Sequence, residues 1–310
     1  MLSPIVKRLF HACRPGRALL AAIMAAPVLL AAGPCHGAIA VKDDAGAVVT
    51  LAQPARRIVS MSPHVTELLF AAGGGERIVG AMNFSDYPAA AAKIPLIGDN
   101  SQIDIERVLA LKPDLLVVWQ SGNTARQLEQ LARLGIPIFY SEPKTLDEVA
   151  TSLTRLGRLL GTGAVAEGAA AAYRARIAAL GARYGRRAPV RVFYQVWDRP
   201  LYTLSGAHIV SDALRLCGGV NVFGALKVVA PQVGVEAVLQ EDPEAIFGGR
   251  AGDAPDAGIN QWKAYPGMLA VRRANLFSLD GETLARATPR IADGATVLCE
   301  KLEQARQKRR

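Results

Sequence analysis

The 310-residue sequence predicts an α/β protein built in two halves, each a parallel sheet covered by helices. Three observations predict it. Short apolar runs alternate with helix-patterned segments along most of the chain. An Ala-rich stretch without internal breakers divides that alternation in the middle. Hydrophobic residues make up 51% of the chain and charged residues 20%, a balance that supplies a large core.

The first 40 residues read as a leader. Lys7, Arg8, Arg14 and Arg17 precede an apolar run from Ala18 to Ala32, broken only by Pro27. That run is shorter than the ~20 residues a membrane-spanning helix needs. Ala38-Ile39-Ala40 then completes the three-part layout of a cleaved secretory signal over residues 1–40. Cys35 offers lipid modification as an alternative, but Pro34 stands before it where a small residue is expected. Removing the four bases of the leader leaves 32 bases against 27 acids. These bases are scattered and not interleaved with aromatics, which argues against a nucleic-acid partner. Cys13 and Cys35 leave with the leader. Cys217 and Cys299 remain in an oxidising compartment, as a disulfide or as two buried thiols.

Residues 57–61 read as a strand, and Ser62-Pro63 opens a helix that Gly73-Gly74-Gly75 stops. Residues 77–81 form the next strand. Asp104 caps a short helix over 104–111, with Glu106 in its first turn. The run 115–119 is a buried strand ending at Trp119. Helices are expected over 124–134 and 145–160, with a strand at 136–140 between them. The segment 164–184 is rich in Ala, and no Gly or Pro interrupts Ala169 to Leu180. It reads as one long helix joining the halves, or else as a packing helix of the first half. The alternation restarts with a strand at 190–196, a helix at 211–216 and a short helix at 235–239. Strands at 245–247 and 275–279 come next, and Pro289 opens a last helix. The basic end Lys308-Arg309-Arg310 reads as frayed. The expected division is a first lobe over 41–162, a connecting helix over 163–187 and a second lobe over 188–310.

Chemistry of the catalytic kind is thinly represented. His11 and His36 fall in the leader, so only His64 and His208 remain, without zinc spacing. There is no G-x-S-x-G elbow and no phosphate-binding loop. A secreted α/β hydrolase or a metal-dependent enzyme has no recognisable motif to stand on. The pattern favours a binding protein with no catalytic residues and no resident metal. His64, just after a strand end, is either an axial ligand to a metal carried by a guest or a helix-start residue facing solvent.

Several stretches carry a resemblance. They are Ser85-Asp86-Tyr87-Pro88, Leu111-Lys112-Pro113-Asp114-Leu115, Gly122-Asn123, Cys217-Gly218-Gly219-Val220-Asn221-Val222-Phe223, Pro231-Gln232-Val233 and Ala287-Thr288-Pro289-Arg290. With them the chain resembles the periplasmic cobalamin-binding proteins of ABC importers, a group that shares its fold with siderophore and haem binders. The resemblance implies two Rossmann-like lobes joined by a single long α-helix, with a ligand cleft between them. It implies cobalamin or a related corrinoid as ligand, with a ferric siderophore or haem as the alternative. It also implies the membrane subunits of an importer as partners, a periplasmic monomer and no cofactor beyond the cargo.

On the same basis Tyr87, Trp119 and Tyr202 match aromatic positions of the ligand site, and Trp197 lies beside them. Arg286 falls where the family places a polar contact, and Asp280 and Glu282 compete for the acidic position next to it. Glu106 and Glu236 match two glutamates, one per lobe, that dock on the importer, while helix capping is the other role open to them. Cys217 and Cys299 match the family's disulfide. Asn100 and Ala230 stand where the best-known members carry tryptophans, so less aromatic surface faces the guest.

Overall fold

A computed structural model describes residues 37–100, 102–250 and 258–309. The part of the leader with Cys13, Cys35, His11 and His36 lies outside the described residues.

The described chain opens on an antiparallel hairpin of β1 (Ile39–Lys42) and β2 (Val48–Leu51). Asp43 and Asp44 fasten it to the first lobe. Asp43 accepts from the Ala47 and Tyr140 amides, and Asp44 pairs with Arg155 at 2.5 Å. β1 overlaps the end of the expected leader, so cleavage after Ala40 removes the pairs Ile39↔Leu51 and Ala40↔Thr50.

The first lobe alternates strand and helix. Its elements are β3 (Ile58–Ser60), α1 (Pro63–Ala71), β4 (Ile78–Ala81), α2 (Ile105–Ala110), β5 (Leu115–Trp119), α3 (Ala125–Ala132), β6 (Ile138–Ser141) and α4 (Leu146–Leu160). The sheet order is β4-β3-β5-β6, and every pairing is parallel. The helix starts follow from the residues at them. Thr124 with Gln127, and Thr145 with Glu148, form reciprocal capping boxes at α3 and α4. Asp104 caps α2 by accepting from the Arg107 amide at 2.9 Å.

The Ala-rich segment is α5 (Gly163–Tyr184), 22 residues long. It lies against α4 at close range. A Cβ on Gly157 would sit 2.2 Å from the Ala166 Cβ, so small residues on both helices set the approach. The second lobe comprises β7 (Val190–Asp198), β8 (Leu201–Thr203), α6 (Ile209–Leu216), β9 (Gly219–Asn221), α7 (Val235–Glu241), β10 (Ala245–Arg250), α8 (Leu269–Arg272), β11 (Leu276–Asp280), α9 (Gly281–Ala285) and α10 (Ile291–Gln307). Its path is β11-β10-β7-β8, with β9 beside the start of β7. Among the described strands of this sheet, only β8 runs antiparallel.

One hydrophobic cluster runs through both lobes. It takes Leu68 of α1 and Leu156 of α4, passes Ala170 and Tyr173 of α5, and continues into Leu214 of α6 and Leu298 of α10. Each sheet has a private cluster on its other side. Cys217 at the end of α6 is disulfide-bonded to Cys299 of α10. Lys308 and Arg309 of the basic end are not frayed, and Arg310 lies outside the described residues. Arg309 pairs with Glu244 at 2.6 Å, and Lys308 donates to the Ala274 carbonyl at 2.8 Å, because an acid and an open carbonyl of the second lobe meet them there. No described helix is long and apolar enough to cross a membrane.

A cleft between opposed strand ends

Parallel strands deliver their carboxyl ends, and the loops beyond them, to one edge of a sheet. Here both sheets deliver them to the same cleft, of about 780 Å³. From the first lobe come Ser62 and His64 after β3, Trp119 at the end of β5, and Glu142 to Lys144 after β6. From the second come Trp197 near the end of β7, the turn after β8, Gly249 in β10, and Gly281, Glu282 and Ala285 to Ala287 around α9.

Trp119 is set by its neighbours. A Cβ on Gly122 would fall 1.8 Å from the indole, so this position makes room for the ring. His64 meets the indole edge-on, with centroids 5.5 Å apart. Its Nδ1 lies 2.6 Å from the Ser62 hydroxyl, and its Nε2 is buried without a hydrogen-bond partner. Burial lowers the His64 pKa to about 4, opposed by the Ser141 backbone. At 7% exposure it neither faces solvent nor presents Nε2 to a guest metal. Across the cleft Trp197 is 57% exposed, with its Nε1 donating to the Arg199 carbonyl at 3.0 Å. The indole edge is thus satisfied and its apolar faces are left to the rim.

Polar groups close one end. Arg286 reaches Glu67 at 3.2 Å, Asp86 at 3.4 Å and Glu282 at 3.4 Å. Arg290 grips Glu67 through two bonds, Nε at 2.8 Å and Nη2 at 2.5 Å. The hydrogen bonds to Glu67 raise the Arg290 pKa further, so the guanidinium stays charged. Its charged plane lies 4.0 Å over the Tyr87 ring.

The expected site residues therefore separate. Trp119, Trp197, Glu282 and Arg286 line the cleft together. Tyr87 does not line it; it is 46% exposed, beside the arginines. Tyr202 is the cross-strand partner of Trp197 and lies outside the lining. Asp280 is the cap of α9, accepting from the Glu282 amide at 2.9 Å, which leaves Glu282 as the acid at the cleft. Asn100 and Ala230 are exposed, and Val229 lines the cleft next to Ala230. Glu106 and Glu236 stand exposed in the first turns of α2 and α7, one on each lobe. Sequence reading missed Glu142, Lys144, Tyr194 and the His208 turn. For Glu142 and Lys144 the one signal was position just past an apolar run, and for Tyr194 position within one; the His208 turn carried none. Among the described residues no group of three or more His, Cys, Asp or Glu is placed to hold a metal ion.

Two lobes sharing a core, with an aromatic cleft at opposed strand ends, define a ligand-binding protein of the two-lobe, helix-joined class. The family model "Periplasmic binding protein" matches residues 58–283, and the chain belongs to that family. The vitamin B12-binding protein of Vibrio cholerae serotype O1 is 37% identical over 255 residues, which is 82% of this chain and 91% of that protein. The vitamin B12-binding protein of Yersinia pestis is 38% identical over 251 residues, covering 81% and 88%. Among solved structures, the periplasmic vitamin B12 binding protein BtuF of Vibrio cholerae aligns with a TM-score of 0.75 at 36% identity, over 82% of this chain and 98% of that one. The periplasmic heme-binding protein RhuT from Roseiflexus in apo form aligns at 0.70 and 25%, over 81% and 98%.

Proposed function

We propose that this protein binds cobalamin or a related corrinoid in the periplasm and delivers it to an ABC importer. The observation that carries the reading is the pair of indoles, Trp119 and Trp197, lining one cleft from opposite lobes. A corrin ring is broad, flat and largely apolar, and rigid aromatics bury area against it at little entropic cost. A cleft of about 780 Å³ stands toward the upper end of the roughly 300–1,000 Å³ of small-molecule sites. Tyr87 and Tyr202 extend the aromatic surface at its margins. Arg286 and Glu282 meet the ligand's amide side chains, held ready by their own ion pairs. The protein performs no chemistry on its cargo and acts as a monomer. Glu106 and Glu236 are its contacts with the membrane subunits. Export proceeds through a leader cleaved after Ala40, so the intact mass of the exported protein corresponds to a chain starting at Val41.

The experiment is isothermal titration of the mature protein with cyanocobalamin, haemin and ferrichrome. The reading requires one-to-one cyanocobalamin binding that weakens at least tenfold in Trp119→Ala. Heat from haemin or ferrichrome alone would replace the ligand and leave the transport role.

A further inference from the structure

The cleft wall contributed by the second lobe carries a histidine whose two ring nitrogens are in different circumstances. His208 is the cap residue of α6, with extended backbone at φ −90° and ψ 145°. Its Nδ1 accepts a hydrogen bond from the Val210 amide at 3.2 Å. An amide N–H can only donate, so Nδ1 carries a lone pair and the single ring proton is on Nε2. Burial lowers the pKa to about 4, so the ring is neutral at physiological pH. Nε2 has no hydrogen-bond partner among the described residues. Unlike Nε2 of His64, it is not sealed away.

The turn that presents this ring is rigid. The His208 amide donates to the Ser205 carbonyl at 3.2 Å, and the Ser211 hydroxyl donates to the same carbonyl at 2.8 Å. Asn221 holds both ends. Its side-chain amide donates to the Leu204 carbonyl at 2.7 Å and to the Ser211 hydroxyl at 2.8 Å. Asn221 belongs to the Cys-Gly-Gly-x-Asn-x-Phe stretch, which thereby supports the cleft wall. Leu204, Ala207 and Ile209, its neighbours along the chain, line the cleft together with His208, and the cleft wall is more apolar than polar. The nearest acid of the helix, Asp212, is engaged by Arg215 at 2.9 Å and by the Leu146 amide at 2.7 Å.

We infer that His208 is a specificity residue of the cleft, donating its Nε2–H to a carbonyl oxygen at the periphery of the guest. The inference rests on the reading of this cleft as the cargo site and adds a selection rule to it. A ring fixed in this tautomer has no lone pair to offer, so it accepts amide carbonyls and rejects groups that can only donate. An uncharged, amide-fringed ligand fits a neutral donor in a cleft wall more apolar than polar.

The test uses the full mature protein and His208→Asn. Asparagine is a strong cap and keeps the bond to the Val210 amide through its side-chain oxygen, but it is too short to reach the guest. The inference expects a melting temperature close to the parent's and a Kd for cyanocobalamin about three- to tenfold higher, the worth of one neutral hydrogen bond. Long-range nitrogen NMR of the free protein should show the Nε2–H tautomer, with the Nε2 resonance moving when cyanocobalamin is added. An unchanged Kd in His208→Asn, or a proton found on Nδ1, overturns the inference and leaves cobalamin binding intact. A parent protein that does not bind cyanocobalamin overturns both.

Discussion

Glu67 of α1 is held between Arg286 and Arg290, so a carboxylate of the first lobe is fastened to the second by two guanidinium groups. Its side chain is 3% exposed, and Arg290 binds it in the two-pronged manner that planar groups allow. Breaking such a pair from one side leaves charge buried without compensation, at a cost of roughly 3–5 kcal/mol. Glu67→Ala is expected to lower stability toward that range in urea unfolding. Replacing Glu67, Arg286 and Arg290 together by apolar residues recovers most of the loss. Equal losses in the single and triple variants would show that the ion pairs are not what holds the two lobes here.

His64, which is buried, and His208, which is partly buried, set a pH dependence. Both have folded-state pKa values near 4, against 6.5 for the free side chain. Between those values the unfolded chain takes up protons that the folded chain refuses, so stability falls as pH falls. The contribution is intact above about pH 6.5 and lost progressively toward pH 4, by up to about 3 kcal/mol per histidine. A series of denaturant midpoints across that window checks it. His64→Gln and His208→Asn should each flatten part of the slope.

Cys217 and Cys299 are 82 positions apart, and opening the bond frees the unfolded chain by about 4.5 kcal/mol on the chain-entropy account. Neither residue lines the cleft. The double Cys217→Ala, Cys299→Ala variant is therefore expected to melt well below the parent while keeping its ligand affinity. A matched loss of affinity would mean that the bond shapes the cleft.

Glu106 and Glu236 are exposed and lie outside the cleft lining. Reversing both to Lys should leave cyanocobalamin binding unchanged and abolish uptake by cells that depend on this protein. Charge at such a rim acts mainly on encounter and register, so the single variants lose less than the pair. Normal uptake by the double variant would return both residues to a capping role.

Much of the fold is legible because its signals are local. Thr124 and Thr145 announce helices through boxes closed within three residues, and the Ala-rich connector is visible in composition alone. The short strands β8 and β9 were not legible, since three residues carry no period. The same distinction runs through the site. Trp119 and Trp197 stand at strand ends and can be picked out one at a time. The bond of Arg286 to Glu67 spans 219 positions and exists only once both lobes are folded. The pinned C-terminal end escaped for that reason too, because its acid, Glu244, lies 65 positions away. Asp280 and Glu282 were indistinguishable until the α9 turn assigned one to capping.

The hydrophobic cluster that passes from α4 through α5 into α6 and α10 has a consequence for unloading. Prising the lobes apart would expose apolar surface to water, at about 25 cal/mol for each Å² uncovered. On the proposed function, spontaneous parting of the lobes would thus be a costly route for release of the ligand. On that reading the work of release would fall to a partner that holds both lobes, as the proposed Glu106 and Glu236 contacts would allow.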